Sequence, residues 1–186
     1  VAYKLFSSAN NIIGAKGPIF SSVRYGNVIN SRGSVIPFFL EKIKNKEKIL
    51  PITHPDMTRF FLTLEDGVHF VINSIERMQG GEIFIPKCVS LKIVDLAKAL
   101  KNDVSFKFIG LRPGEKLHEV LCPKDDSLNT IEFSKFFVIK PTINFGKKRN
   151  FKIVIVKVFS GVLNVYYFYF IFFWFLIHFC YVLFKS

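Results

Sequence analysis

Short strand-like runs alternate with amphipathic helical segments along the first 145 residues, and this alternation restricts the fold more than any other feature. Runs rich in β-branched and aromatic residues predict strands at 19–25, 48–53, 58–63, 82–87, 104–111 and 131–139. Apolar residues at helical spacing predict helices at 4–13, 35–46, 64–78, 90–102 and 114–121. Elements of these lengths in this order predict an α/β architecture for residues 1–145.

The charge of the chain is unevenly distributed. The formal net charge of +12 divides into +4 for the first 132 residues and +8 for the remaining 54 residues, which contain no acidic residue. Because the predicted α/β part is only weakly basic and shows no aromatic-basic surface motif, we expect no nucleic-acid partner.

The three cysteines, Cys88, Cys122 and Cys180, are odd in number and show no Cys-x-x-Cys spacing. This pattern argues against a disulfide framework or a metal site, and it favours a reducing compartment. We therefore expect the cysteines to act as small apolar residues.

An apolar segment rich in aromatic residues ends the chain. Residues 158–184 contain no Lys, Arg, Asp or Glu, and this length exceeds the roughly 20 residues that span a bilayer. Hydropathy predicts a transmembrane helix after a basic linker at 146–157, with the preceding domain in the cytoplasm. Two other interpretations stay open: a buried aromatic strand or helix, and a translated out-of-frame sequence without folding selection.

The stretch VRYGNVINSRGSVIPFF, residues 23–39, is the first candidate ligand-binding segment. It places Tyr25-Gly26-Asn27 after a predicted strand, where α/β folds bind ligands, and the amide of Asn27 can donate and accept hydrogen bonds. Glycines at 26 and 33 would let the backbone approach a ligand, and Arg24 or Arg32 could meet phosphate oxygens. The alternative is an ordinary Gly/Asn turn with solvated arginines.

Two further segments carry candidate residues. In LRPGEKLHEVL, Arg112 stands before a predicted helix start, a combination suited to an anion, and Glu115 is a candidate hydrogen-bond acceptor. His118 is interpreted as a surface or helix-packing residue. In THPDMTRFFLTLEDG, Arg59 could reach a shared cleft or form a surface salt bridge, and the acidic pair at 65–66 is expected to cap a helix.

Six motifs in this order, RYGNV…SRGSVIP, HPDMTRF, GGEIFIPK, LAKAL, RPGEKLHEVL and DDSLNTIEF, resemble the C-terminal half of the inverting UDP-N-acetylglucosamine 4,6-dehydratases. These enzymes belong to the polysaccharide-biosynthesis branch of the extended short-chain dehydrogenase/reductases. The resemblance implies the C-terminal part of a Rossmann fold with a small sugar-nucleotide-binding subdomain, bound NADP, and a homo-oligomeric full-length enzyme of pseudaminic-acid-type glycan synthesis. It also implies that Asn27, Arg59, Arg112 and Glu115 contact a UDP-sugar, and that Tyr25 and Gly26 lie near the nicotinamide.

The departures from the family pattern concern the catalytic residues. No Gly-x-Gly-x-x-Gly loop is present, and the only Tyr-x-x-x-Lys is Tyr181 to Lys185 in the apolar tail, which we attribute to chance. We therefore expect the catalytic residues upstream of Val1 and an inactive chain. Asn30 replaces a glycine usual in the family, and asparagine tolerates left-handed backbone. The rival interpretations are a fragment of the membrane-anchored retaining dehydratases and a non-catalytic membrane-bound sugar-nucleotide-binding module.

Overall fold

The computed structural model describes residues 2–13, 17–142, 157–158 and 180–185, and within them the chain is a mixed α/β protein. The helices are α1 Ala2–Ile13, α2 Val35–Lys44, α3 Leu64–Arg77 and α4 Ile93–Leu100, with a 3-10 helix at Lys124–Asn129. The strands are β1 Ile19–Arg24, β2 Asn27–Val28, β3 Ile49–Ile52, β4 Thr58–Leu62, β5 Ile83–Pro86, β6 Val89–Lys92, β7 Ser105–Phe108, β8 Thr130–Glu132, β9 Phe136–Ile139, β10 Lys157–Val158 and β11 Cys180–Lys185.

The described strands form three sheets. The largest has the order β10-β8-β9-β5-β1-β11, the second has the order β2-β4-β6, and β3 pairs with β7. The pairs β1–β5, β2–β4 and β3–β7 are parallel, whereas β5–β9, β8–β9 and β4–β6 are antiparallel. The predicted α/β class is therefore confirmed, with parallel and antiparallel pairing in the same domain.

Strand β4 separates two hydrophobic cores. Phe61 packs with residues of α2, β3 and α4, whereas the next residue, Leu62, packs with residues of β1, β5 and β9. This division follows from the alternation of side chains across a strand, which sends successive residues to opposite faces of the sheet. The strand that carries Arg59 thus runs along the boundary between the two halves of the fold.

Helix α3 has the bounds that its sequence predicts, within one residue. Thr63 caps it: its Oγ1 accepts a hydrogen bond from the Asp66 amide at 3.0 Å and donates one to the Asp66 carboxylate at 2.6 Å. The acidic residues of the first turn, Glu65 and Asp66, also suit the positive end of the helix dipole. The predicted capping role of this pair is confirmed for Asp66.

Three sequence predictions are wrong in detail. The segment 90–102 begins as strand β6, which pairs with β4, and its helix starts only at Ile93. The single strand predicted at 131–139 is a hairpin of β8 and β9, closed by a hydrogen bond from the Phe133 amide to the Phe136 carbonyl at 2.8 Å. The strand predicted at 104–111 ends at Phe108, before Gly110 at φ +83°.

The apolar C-terminal segment does not appear as the predicted membrane helix where it is described. Val158 lies in β10 and the stretch Cys180–Phe184 lies in β11, so both ends of the predicted span are strands; residues 159–179 lie outside the described residues. Of the predicted linker, only Lys157 is described. Across the described ranges, no helix has the length and apolar character needed to cross a membrane.

Candidate functional site

The predicted site residues meet along one edge of β4. Strand β6 pairs with one edge of β4, with Thr58 opposite Lys92 and Phe61 opposite Val89. The other edge takes two partners in succession: His118 forms a parallel bridge with Thr58, and β2 pairs in parallel with Asn27 opposite Phe61. A strand has only two edges, so the segment around His118 and the segment around Asn27 lie end to end along the same edge.

Asn27 presents a buried polar group with an unfilled hydrogen-bonding capacity. The residue is only 6% exposed, and its Oδ1 accepts no hydrogen bond from the described residues. Buried amide oxygens without a partner are uncommon in folded proteins, because the loss of water is then uncompensated. This carbonyl oxygen can therefore still accept a hydrogen bond, and the role of Asn27 in ligand binding stays a prediction.

Gly26 lies in close contact with the backbone of β4. A Cβ at this position would lie 2.5 Å from both the Cβ and the carbonyl oxygen of Phe60 on β4. The glycine therefore lets two backbone segments pack together, and the space beside it is filled by protein. Tyr25 is 7% exposed and belongs to the core cluster on the β1 side of β4.

The turn after β2 leads into the N-terminus of α2. Asn30 adopts φ +63° and Gly33 adopts φ +78°, so the expectation that asparagine supports left-handed backbone at this point is confirmed. Ser34 occupies the N-cap position of α2, yet its side chain makes no capping hydrogen bond. Its buried Oγ is unpartnered among the described residues, beside the free backbone N–H groups of a helix start.

Arg59 is buried and held by several acceptors. Its Nη1 donates to the carbonyl oxygens of Thr58 at 2.8 Å and Leu117 at 3.1 Å. Its Nη2 lies 3.5 Å from Oε1 of Glu115. A guanidinium is planar and offers several fixed donors, so one side chain can satisfy all three acceptors at once. Arg59 thus joins β4 to the segment that carries Arg112 and Glu115.

The segment 112–118 is not the helix start that the sequence predicted. Gly114 has φ +80°, and the Glu115 amide donates to the Arg112 carbonyl at 2.9 Å, which closes a turn. The Leu117 carbonyl accepts from the Thr58 amide at 3.2 Å, so the end of this segment bonds to β4. Arg112 therefore stands in a turn and not at the helix N-terminus that the sequence predicted.

Glu115 and Arg112 are linked within this turn. Oε2 of Glu115 accepts a hydrogen bond from the Arg112 amide at 3.1 Å, while Oε1 faces Arg59. The Arg112 residue is exposed, and none of the described residues forms a hydrogen bond or ion pair with its guanidinium. Its charge is therefore exposed to solvent. His118, predicted as a surface or helix-packing residue, is exposed, and its Nδ1 lies 2.8 Å from the Thr58 hydroxyl.

Two other predictions for this region have definite outcomes. The Arg24 guanidinium donates to the Leu121 carbonyl at 2.7 Å, so it anchors a chain segment instead of pointing freely toward a phosphate.

Burial raises the pKa of the Cys88 thiol to about 11, and burial also raises the pKa of Cys122. Both thiols are protonated near neutral pH, which agrees with their predicted role as apolar residues.

Sequence reasoning missed three polar groups. Neither Ser34 nor Thr58 was singled out as a site residue, although Ser34 has a buried, unpartnered hydroxyl among the described residues and Thr58 contacts His118. Glu82 is fully buried and accepts hydrogen bonds from the Ser21 hydroxyl at 2.6 Å and the Gly80 amide at 2.7 Å. Its burial could have been inferred from the sequence, because Glu82 is a charged residue at the start of an otherwise apolar strand.

The fold and the site define a mixed α/β domain that gathers two arginines, a glutamate and a buried asparagine at one sheet edge. The sequence matches the family described as polysaccharide biosynthesis protein over residues 1–141, and the chain belongs to this family. It is 56% identical over 147 residues to a UDP-N-acetylglucosamine 4,6-dehydratase (inverting) of Campylobacter jejuni, a match that covers 79% of this chain and 44% of that protein.

Other relatives carry different names. The chain is 42% identical over 120 residues to a UDP-glucose 4-epimerase of Rickettsia canadensis, which covers 62% of this chain and 35% of the epimerase. Among solved structures, the X-ray structure of Pen from Bacillus thuringiensis superposes with a TM-score of 0.70 at 35% identity, covering 76% of this chain and 46% of Pen. The chain thus spans less than half the length of the proteins that it matches.

Proposed function

We propose that this chain is the UDP-sugar-binding portion of a C5-inverting UDP-N-acetylglucosamine 4,6-dehydratase. The identity of 56% to an inverting dehydratase supports this assignment over the epimerases, whose identity is 42%. The observation that carries it is the convergence of Asn27, Arg59, Arg112 and Glu115 on one edge of β4.

Each proposed substrate contact has a chemical rationale. Arg112 offers a guanidinium that has no partner among the described residues, a group well suited to the oxygens of a pyrophosphate. Asn27 offers a buried carbonyl oxygen that likewise accepts no hydrogen bond in the described part of the chain and would accept one from a sugar hydroxyl. The Arg59–Glu115 ion pair leaves a lone pair free on each carboxylate oxygen, so Glu115 can also accept from a hydroxyl.

NADP belongs to the proposal for the complete enzyme only, where it would supply hydride transfer. The described residues do not form a cradle for it by themselves: Gly26 packs against the Phe60 backbone, Tyr25 is buried in the core, and the sequence contains no Gly-x-Gly-x-x-Gly loop. We propose a position for Tyr25 and Gly26 near the nicotinamide end on the family resemblance alone. By the same resemblance, the complete enzyme would be a cytoplasmic homo-oligomer in pseudaminic-acid-type glycan synthesis.

UDP binding to the 186-residue protein tests the proposed function. We expect isothermal titration calorimetry to detect UDP and UDP-N-acetylglucosamine binding, and Arg112→Ala to weaken UDP binding about tenfold, as expected for the loss of a charge-assisted hydrogen bond. Lys116→Ala is the matched control, because Lys116 is a cation in the same segment with no described partner.

The sugar-nucleotide comparison separates the dehydratase from the epimerases. We expect tighter binding of UDP-N-acetylglucosamine than of UDP-glucose. Equal binding of the two sugars would favour an epimerase-like site, and an absence of UDP binding, or equal losses in Arg112→Ala and Lys116→Ala, would refute the proposed function.

A further inference from the structure

The segment 112–118 is fixed to β4 by contacts that converge on two adjacent residues, Thr58 and Arg59. The Leu117 carbonyl accepts from the Thr58 amide at 3.2 Å and from Arg59 Nη1 at 3.1 Å. The Thr58 hydroxyl lies 2.8 Å from Nδ1 of His118. These contacts join residues about 60 positions apart in sequence, so they are long-range tertiary contacts.

The Glu115 carboxylate contacts both Arg59 and the backbone of Arg112. One carboxylate oxygen lies 3.5 Å from Arg59, and the other accepts from the Arg112 amide at 3.1 Å. Arg59 is therefore connected to the backbone of Arg112 through a single side chain. No other described side chain bonds to the Arg112 backbone, and the Arg112 carbonyl accepts from the Glu115 amide, so Glu115 holds this residue at both its amide and its carbonyl.

The loop that precedes this attachment has little else to hold it. Phe108, Ile109 and Leu111 are each about half exposed. Gly110 and Gly114 are in the left-handed region, and a Cβ added at either glycine would have no neighbouring atom within 4 Å. Ile109 is fixed by a hydrogen bond from its amide to the Ile52 carbonyl at 3.0 Å. The position of the loop between Ile109 and Arg112 is therefore set by the contacts at its two ends.

We propose that Thr58, Arg59, Glu115 and His118 form a clamp that positions Arg112 for the anionic part of the ligand. Arg59 and His118 are positioning residues in this respect, in addition to any contact that Arg59 makes with the ligand itself. The inference rests on the proposed function, because it gives the clamp the task of orienting Arg112 toward UDP phosphates. Loss of the clamp leaves the guanidinium present but badly placed.

Amide hydrogen exchange, resolved residue by residue by NMR, measures the clamp without any ligand. The reporters are the Arg112 amide, which donates to Glu115, and the Thr58 amide, which donates to Leu117. We expect Thr58→Val and Arg59→Lys to speed exchange of the Arg112 amide at least tenfold. Lys92→Ala is the matched control, because its ion pair with Asp56 is exposed and Lys92 lies on the opposite edge of β4.

Ligand binding then separates positioning from a general loss of structure. UDP carries the phosphates and uridine does not, so Thr58→Val, which removes no charge, should weaken UDP about tenfold and leave uridine affinity within about twofold. The charge-swapped double variant Arg59→Glu with Glu115→Arg should recover part of the Thr58 amide protection lost in Arg59→Glu alone, because that amide donates to the Leu117 carbonyl and needs no carboxylate at position 115. Such recovery would measure a direct coupling between the two side chains.

Each outcome has a defined meaning. Unchanged Arg112 exchange in both Thr58→Val and Arg59→Lys would overturn the clamp. Equal losses of UDP and uridine affinity in Thr58→Val would show a structural effect without positioning. If the wild-type chain binds no UDP, the proposed function fails, whereas the exchange comparison still decides whether the clamp exists.

Discussion

At the scale of single residues, the distance to neighbouring atoms decides whether a glycine can be replaced by a larger residue. The backbone at Gly26 runs so close to β4 that a methyl group would overlap Phe60, whereas Gly67 in α3 has only ordinary van der Waals contact, 3.5 Å to Leu62 Cδ1. Two buried glycines therefore have opposite effects on stability. One is required by packing, and the other lowers the stability of its helix.

Alanine substitutions should distinguish these two glycines. We expect Gly26→Ala to lower the free energy of unfolding by about 1–3 kcal/mol, the usual cost of overpacking a filled site. Gly67→Ala should raise it by about 0.5–1 kcal/mol, because alanine is a better helix former. Urea unfolding followed by circular dichroism measures both, and a neutral Gly26→Ala would contradict the close approach.

The raised pKa of Cys88 makes a prediction about its reactivity. With a thiol pKa of about 11 in the folded protein, little thiolate exists near pH 8, so iodoacetamide should label Cys88 far more slowly than it does in urea. The unfolded thiol ionises at lower pH than the folded one, so the free energy of unfolding should fall as pH rises from about 9 toward 11. Peptide mass mapping after labelling at several pH values checks the first effect, and rapid native labelling at pH 8 would contradict it.

At the scale of elements, helix α3 shows how local chemistry sets a boundary. Thr63 satisfies the Asp66 amide, and the helix ends at Arg77 before the glycine pair at 80–81. By contrast, Ser34 stands at the start of α2 without a capping hydrogen bond, and its hydroxyl remains unpartnered among the described residues. The two helices both have a hydroxyl residue at the N-cap, but the two hydroxyls differ in what they can still bind.

A pair of substitutions at Thr63 tests the cap. We expect Thr63→Ala to lower the free energy of unfolding by about 1 kcal/mol, because the Asp66 amide then loses its acceptor. Thr63→Ser keeps the hydroxyl and should change stability much less. Denaturant unfolding of the two variants gives the comparison, and equal losses would show that the hydroxyl does not stabilise the helix.

At the scale of the whole molecule, the proposed ligand-binding groups lie in a chain that spans less than half the length of the relatives that it matches. Its matches cover 44% of an inverting dehydratase and 46% of Pen. Positioning of a substrate can contribute to catalysis only where an acid–base group or a hydride acceptor is also present. Binding and turnover are therefore separate questions for these 186 residues.

We accordingly expect binding without turnover. The purified 186-residue protein, incubated with UDP-N-acetylglucosamine and NADP, should give no 4-keto-6-deoxy sugar nucleotide by mass spectrometry. An intact inverting dehydratase under the same conditions is the positive control. Product formation by the 186-residue protein alone would show that a catalytic group was missed.

The sequence determined the features that depend on neighbouring residues. Helical periodicity fixed α3 to within one residue, and the α/β class followed from the alternation of strand and helix patterns. The left-handed conformation of Asn30 was also predictable, because asparagine tolerates it. The sequence also indicates Asn27, Arg59, Arg112 and Glu115 as candidate site residues, but not the contacts that they make.

The tertiary structure decided which distant partner each backbone group bonds to. Residues 114–121 have a helical pattern, yet the Leu117 carbonyl accepts hydrogen bonds from Thr58 and Arg59. The first residues of the helix predicted at 90–102 form strand β6, because they pair with β4. Gly26 likewise depends on Phe60, which comes 34 positions later. Local patterns specify which residues are buried and which cap a helix. Buried backbone groups must also form hydrogen bonds, and their partners are the strands that the tertiary fold places next to them.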